Sequence, residues 1–440
     1  MDPYWVGILG IALLFSLLAV GVHIGVALGL VGILGSTMIV GFEASIYTSV
    51  SNIYHKIASF ELITIPLFVL MGYLASGGGI SRNVFDSLNR WIGHIRGGLG
   101  IATVASCTAF GAVCGSALVT ASVFARFCAP EMRRLGYDKR LAYAICASAG
   151  VIGMLIPPSI LMVVYGVLAG ESTGKLLIAG ITPGILLMVL FSLTIVFIGW
   201  RKPEMLGAVP RPEILSLSQK LRLLINIWPV LLVAVIMFGG IFGGIFNPTE
   251  AAAVATVALL ILLVATRFED WPELFRIAFL ETGATSAMIF LVMGSATVFS
   301  QFLVLTGIAE QLVDAVGRWA LSKATLIWVI VGVYLFLGCL LDSISMLCIT
   351  VPLFNPIIKA LGVDPIWYAV VIVMAIHAGL LTPPVGLNVY ATYAVAEKDV
   401  TLEEIFSGVI PFLLAMGVSL LILVYIPLLS TFLPELMLGK

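Results

Sequence analysis

Four short stretches of this 440-residue chain put polar or helix-breaking residues inside apolar sequence. They are Gly115-Ser116-Ala117, Ile156-Pro157-Pro158-Ser159, Asp342-Ser343 with Ser345, and Thr382-Pro383-Pro384 with Asn388. Proline lacks a backbone N–H and disfavours helix in the residue before it, so two in a row leave carbonyls unpaired. At membrane depth such backbone persists only where it is buried in protein or lines a polar cavity. One Pro-Pro reads equally well as a simple kink; two at matched positions argue for a binding site. Asp342 is the clear deep carboxylate of the chain. Such a group is costly and usually functional, the competing role being the cap of the next helix. Ser116 and Ser343 offer hydroxyl oxygens, or else serve as small residues in helix packing. His377 reads as hydrogen-bonded structure rather than a proton carrier. Glu61 and Glu281 read as interfacial or capping groups. An intramembrane protease would want paired aspartates or a Ser/His dyad, so the chemistry on offer is oxygen ligation and hydrogen bonding.

These stretches come in pairs. Pro157 and Pro383 are 226 positions apart, as are Gly136 and Gly362. Gly115-Ser116 precedes Asp342-Ser343 by 227, and Arg90-Trp91, Gly79-Ile80 and Pro183 precede Arg318-Trp319, Gly307-Ile308 and Pro411 by 228. So small a drift is what a diverged duplication leaves. Duplicated, membrane-embedded halves with broken apolar segments are the signature of a secondary transporter, with its sites where the repeats meet. A channel would not explain the duplicated hairpins.

The elements that hold these residues must lie in a bilayer. Apolar residues make up 61% of the chain and charged residues 10%, against about 25% charged in soluble domains. With net charge −1 and no basic patch, nucleic acid is excluded as a partner. The six cysteines lie in apolar stretches without a C-x-x-C and read as small hydrophobes. The first 20 residues lack a basic n-region and read as a retained span. A span needs about 20 apolar residues; candidates are 4–22, 24–42, 60–76, 176–200, 225–246, 249–266, 280–300 and 406–432. Interrupted segments lie between them: 98–134 breaks at Gly111 to Ala117, 140–170 at Pro157-Pro158, 324–360 at Asp342 to Ser345, and 365–396 at Pro383-Pro384. Residues 80–95 and 308–319 are amphipathic, with Trp91 and Trp319 suited to the headgroup level.

Placing the N-terminus outside puts 16 of the 22 basic residues in cytoplasmic loops, as the positive-inside rule asks. Both termini are then external, the repeats are inverted, and the two interrupted segments become re-entrant hairpins entering from opposite sides. The expected fold is an all-α polytopic membrane protein of two inverted-topology repeats with re-entrant hairpins and Pro-Pro-broken helices. Residues 1–76 supply scaffold helices, 77–97 an amphipathic arm, 98–170 the first transport half, and 171–224 a span and cytoplasmic linker. Residues 225–301, 302–323 and 324–396 repeat scaffold, arm and transport half, and 397–440 form a C-terminal span.

The runs Leu340-Leu341-Asp342-Ser343, Thr350-Val351-Pro352-Leu353-Phe354-Asn355-Pro356, Leu361-Gly362-Val363-Asp364-Pro365 and Gly379 to Asn388 resemble the large membrane subunit (DctM type) of tripartite ATP-independent periplasmic transporters. Gly115-Ser116, Leu135-Gly136-Tyr137, Ile156-Pro157-Pro158-Ser159 and Asn247-Pro248-Thr249-Glu250-Ala251-Ala252-Ala253 agree, so the resemblance covers nearly the whole chain. It implies an elevator-type importer of organic acids in the bacterial inner membrane, driven by sodium. A periplasmic substrate-binding protein delivers the substrate, and a small four-helix membrane subunit completes the scaffold. The substrate would be a C4-dicarboxylate or another carboxylate or sulfonate. Sodium is the coupling ion, with no cofactor and no enzymatic activity. Carried onto the breaks, the resemblance implies one sodium site at Gly115, Ser116 and Ala117 with Ile156, Pro157 and Pro158. A second falls at Asp342, Ser343 and Ser345 with Thr382, Pro383 and Pro384. Ser116, Ser159, Ser343 and Asn388 would meet substrate, helped by the amides of helix N-termini. The competing expectation is a stand-alone ion-coupled dicarboxylate or citrate carrier that needs no binding protein.

Overall fold

The structure is a computed structural model that describes residues 2–207, 219, 223, 225, 227–318 and 322–438. Among the described residues it is helical throughout, with one isolated antiparallel bridge between Tyr137 and Leu206. The first half runs α1 (Pro3–Ala19), α2 (Ile24–Val40), α3 (Phe42–Ile57), α4 (Thr64–Gly77), α5 (Ile80–Ile92), α6 (Gly98–Cys114), α7 (Ala117–Arg134), α8 (Lys139–Ile152), α9 (Ile160–Ala169), α10 (Thr173–Ala179) and α11 (Ile181–Arg201). The second runs α12 (Trp228–Phe242), α13 (Pro248–Thr266), α14 (Trp271–Thr306), α15 (Ile308–Arg318), α16 (Lys323–Gly338), α17 (Ser343–Ala360), α18 (Pro365–Gly379), α19 (Leu387–Tyr393), α20 (Leu402–Tyr425) and α21 (Leu428–Leu438). It is a multi-pass membrane protein: six of its helical stretches are long and apolar enough to span a bilayer.

Local chemistry sets many of these boundaries. Asp2, Ser322 and Asp364 each accept from a backbone N–H of the helix they open. Asn247 with Glu250 and Thr401 with Glu404 form reciprocal capping boxes at α13 and α20. Helix interiors then sort by environment. In α8 every residue from Leu141 to Ile152 is buried, and in α18 every residue from Ile366 to Gly379. A helix apolar all round belongs in a protein core, so these two broken helices form the centre. By contrast α11 and α20 expose Leu193, Phe197, Leu414 and Val418, apolar residues that suit contact with lipid.

Two groupings result. In one, α2 packs along α14 through a small-residue face: Gly32 sits so close to the Val298–Phe299 backbone that a Cβ would approach to 2.9 Å. Close backbone approach through small residues is how membrane helices associate tightly. Helices α1, α3, α4, α12 and α13 join this group, with the Thr64 and Thr249 hydroxyls 2.6 Å apart between α4 and α13. The other group comprises the two hairpins α6–α7 and α16–α17, the broken helices, and α11 and α20.

The structure departs from the sequence expectations in several places. Helix α3 was not expected: Glu43, Thr48, Asn52 and Lys56 lower its apolar content below that of a span. The segment 280–300 lies inside a 36-residue helix, so the boundary at 302 falls within α14. Residues 406–432 divide at Pro427 into α20 and α21, and 225–246 ends at Phe242 after a π-helical stretch, Val235–Gly239. The second hairpin breaks at Cys339–Asp342, leaving Ser343 and Ser345 in the first turn of α17. The amphipathic helices form as expected, α5 burying Ile80, Val84 and Phe85 while exposing Arg82, Asp86 and Arg90. Trp319 and most of the 201–222 linker lie outside the described residues.

Candidate functional site

The first hairpin turns in two residues. Gly115 ends α6 at φ +64°, a conformation that favours glycine, and donates its N–H to Gly111 O at 3.1 Å. A Cβ on Gly115 would stand 2.7 Å from Pro158 O, so the hairpin tip meets the Pro-Pro break backbone to backbone. Ser116 caps α7, its Oγ accepting from Val119 N at 3.4 Å. The Pro157–Pro158 peptide is cis, and every residue from Val151 to Ile160 is buried. Ala117 and Ile156 are buried beside it. The Ser159 hydroxyl is engaged locally, donating to Met154 O and accepting from Met162 N at 3.3 Å. Beside the tip is a cavity of about 50 Å³, lined by Cys114, Ser116 and Ile160 and, from the other grouping, Gly72, Tyr73 and Thr285. That volume holds an ion or a water but falls far below the ~300 Å³ of an organic-ligand pocket.

The second hairpin is built differently. Asp342 caps α17 with both oxygens: Oδ1 accepts from Ile344 N at 3.0 Å and Ser345 N at 3.1 Å, and Oδ2 accepts from the Ser345 hydroxyl. Ser343 and Ser345 are buried, whereas Leu340 at the tip is 53% exposed. The Pro383–Pro384 peptide is also cis, but here both prolines are exposed. Thr382 donates its hydroxyl to Ala378 O at 2.7 Å, and Asn388 N closes the break by donating to Leu380 O at 3.1 Å.

Each hairpin docks on its own broken helix through a pair of glycines. A Cβ on Gly111 would lie 2.2 Å from Gly153 Cα, and one on Gly338 2.7 Å from Gly379 Cα. The sites also cross between halves. Helix α9, after the first break, packs on α17, and α19, after the second, packs on α7 and α8. Buried Asn388 donates through Nδ2 to Ala147 O of α8 at 3.2 Å, while its Oδ1 has no partner among the described residues. So Asn388 reaches across the halves, while Ser159 is consumed within its own. His377 is fully buried with neither ring nitrogen partnered among the described residues, contrary to the hydrogen-bonded role expected of it. Sequence reasoning missed Gly72, Tyr73 and Thr285, which lie in uninterrupted helices and carry no local signal. It missed Lys56 too, which donates to Val167 O of α9. Among the described residues no group of three or more His, Cys, Asp or Glu could hold a metal; the carboxylates by the tips are Asp342 at the second and Glu281, which lies against Tyr73 of the first cavity.

At one end of this assembly an ion-pair cluster ties the end of α7 and the start of α8 to the loop before α20 and its first turn. Arg133 takes Asp399 bidentately, at 2.9 and 2.7 Å, and also reaches Glu397. Lys139 donates to Asp399 O at 2.6 Å and pairs with Glu404 at 3.0 Å. The Arg133 guanidinium holds the Asp399 carboxyl below its ordinary value.

Comparison with known proteins agrees with this architecture. The family model described as "Tripartite ATP-independent periplasmic transporter, DctM component" matches residues 11–429. The C4-dicarboxylate TRAP transporter large permease protein of Pseudomonas aeruginosa is 35% identical over 93% of this chain and 94% of its own. The ectoine/5-hydroxyectoine large permease protein of Ruegeria pomeroyi is 33% identical over 92% and 94%. The isethionate permease protein DctMQ of Oleidesulfovibrio alaskensis is 31% identical over 94% of this chain but 64% of its own length. Among solved structures, the Alcanivorax borkumensis YdaH transporter shares the fold, with TM-score 0.59, 16% identity, and coverage of 91% and 89%.

Proposed function

The chain belongs to the DctM family, the large permease component of tripartite ATP-independent periplasmic transporters, and from that premise we propose that it imports an organic acid together with sodium. It is a transport subunit, not an enzyme, in a binding-protein-dependent system of the bacterial inner membrane. The observation that carries the proposal is the pairing of each Pro-Pro break with a hairpin tip. Half-helix termini with unwound backbone, as at these breaks, are how transporters hold ions and anionic substrates. Gly115, Ser116 and Ala117 with Ile156, Pro157 and Pro158 would hold one sodium. Asp342, Ser343 and Ser345 with Thr382, Pro383 and Pro384 would hold another. Ser116, Ser343 and Asn388 would meet substrate; Ser159 would act as a cap that shapes the first break, since its hydroxyl is already used. The substrates named for these relatives (a dicarboxylate, ectoine and isethionate) are all small anions or zwitterions, so a carboxylate or sulfonate fits this chain.

Movement follows from the two groupings. We assign the hairpins and broken helices to a unit that slides past a fixed scaffold, with α5 and α15 as arms and the two halves inverted. Because α11 packs on α6, and α20 on α8 and α18, these two helices travel with the unit as well. A small membrane subunit would widen the scaffold, and a periplasmic binding protein would deliver substrate. Reconstitution tests this directly. Uptake should need both partners, vanish when choline replaces sodium, and leave the chain alone inactive. Robust uptake by this chain alone would favour a stand-alone carrier. Full activity on a proton gradient without sodium would overturn the coupling and turn attention to His377.

A further inference from the structure

A second cavity, of about 410 Å³, lies away from the breaks, where the ends of α8, α11 and α20 meet. Its rim carries three cations, Arg140 at the start of α8 and Arg201 and Lys202 at the end of α11. Its walls include Phe197, Pro411 and Leu414. Among the described residues none of the three cations is in an ion pair. The nearby carboxylate Glu404 is taken by Lys139 and by the N–H of Thr401. Trp200 stands beside Arg201, whose guanidinium carbon is 5.7 Å from the indole ring and 5.8 Å from the Phe197 ring. A tryptophan with two basic residues at a helix end marks the headgroup level of a bilayer. One turn along each helix from the lining residues Phe197 and Leu414, the apolar residues Leu193 of α11 and Val418 of α20 are exposed.

We infer that this groove is a binding site for one anionic phospholipid, its phosphate held by Arg140, Arg201 and Lys202 and an acyl chain lying between α11 and α20. Basic pockets between spanning helices take such headgroups, and charge complementarity selects an anionic lipid over a zwitterionic one. The apolar wall selects a lipid over a free anion. This inference uses only the groove and its membrane setting and does not depend on sodium coupling.

The test uses the whole chain in neutral detergent, with native mass spectrometry to count retained lipids and titration of phosphatidylglycerol to follow thermal stabilisation. Wild type should keep one phosphatidylglycerol and not phosphatidylcholine. Replacing all three rim cations (Arg140→Gln, Arg201→Gln, Lys202→Gln) should weaken binding about 100-fold, at about 1 kcal/mol per basic residue. Leu414→Trp, which fills the apolar track and leaves the charges intact, should also reduce retention. Arg318→Gln with Lys323→Gln, remote from the groove, should leave it unchanged. Equal retention by wild type and the triple variant, or equal binding of phosphatidylcholine, would overturn the inference. Displacement by inorganic phosphate alone would also overturn it, in favour of a soluble-anion site.

Discussion

The two Pro-Pro breaks share a plan and differ in access. Both carry a cis proline pair, both dock on a hairpin through facing glycines, and both are completed by a helix from the other half. Yet the first is the more closed: Pro157, Pro158, Gly115 and Ala117 are all buried, with Ser116 half-buried and Leu118 beside them exposed. The second is open, with Pro383, Pro384 and Leu340 exposed. The same backbone plan is thus found in two different states of burial. The difference teaches that access is set by what lies against the tip rather than by the tip itself. At the first tip α4 closes in, Gly72 admitting the Cys114 carbonyl to within 2.7 Å of where a Cβ would be. At the second, polar bonds are internal to the tip, held by Asp342.

The most sensitive way to break this comparison uses native cysteines. Cys114 stands at the first tip, 2% exposed, and Cys339 at the second, half-buried; Cys107, Cys128, Cys146 and Cys348 are buried elsewhere. A water-soluble maleimide should label Cys339 about 10- to 1000-fold faster than Cys114, because the opposite arrangement is a minor state of about 0.1–10%. Peptide mass spectrometry reads the two rates, and equal rates would show that the protein in solution has no closed and open side. Adding sodium and substrate should change the ratio if access alternates.

The shared glycine docking sharpens the other half of the comparison. Gly111→Val and Gly338→Val should each destabilise the solubilised protein by about 1–3 kcal/mol or more, the cost of overpacking a filled interface. Gly332→Ala, in α16 with Gly338, has nothing within 4 Å of its new Cβ and should cost nothing. Melting temperatures decide this, and a tolerated Gly111→Val would show that the first hairpin is not clamped.

Removing the caps should separate the tips. Asp342→Ala should lower stability by about 0.5–2 kcal/mol, with Ser116→Ala lower in cost, since its hydroxyl accepts a single long bond. Asp342→Asn keeps an oxygen for the Ile344 and Ser345 amides while removing the charge. Its sodium affinity should fall about 5- to 150-fold, for a loss of about 1–3 kcal/mol, with little change in melting. Unchanged sodium dependence of uptake in Asp342→Asn would leave Asp342 as a cap alone.

The smallest expected effect lies at the ion-pair cluster joining the two halves. Because Asp399 titrates below its ordinary value beside Arg133, its contribution is present above about pH 4 and is lost as pH falls through the lowered value. The drop in melting temperature on acidification should therefore shrink in Asp399→Asn, measured against wild type from about pH 5 down to about pH 2. An unchanged acid slope would mean that this exposed pair is screened.

Much of this molecule is local and therefore written in the chain. Pro-Pro ends a helix wherever it sits, Asn247 and Thr401 cap the helices they precede, and apolar length names a span, so the breaks, the paired helices before them and the amphipathic helices could be read before any fold was known. The spacing of 226 to 228 residues between landmarks marked the pairs. Three things depended on tertiary packing. Helix α3 owes its place to α2 and α14, because its own residues are too polar to announce a membrane helix. Gly72, Tyr73 and Thr285 came to line the cavity beside the first tip only because α4 and α14 pass it. The contrast between a closed and an open break is invisible in two nearly matching motifs, since burial is a property of neighbours, and those neighbours come from distant parts of the chain.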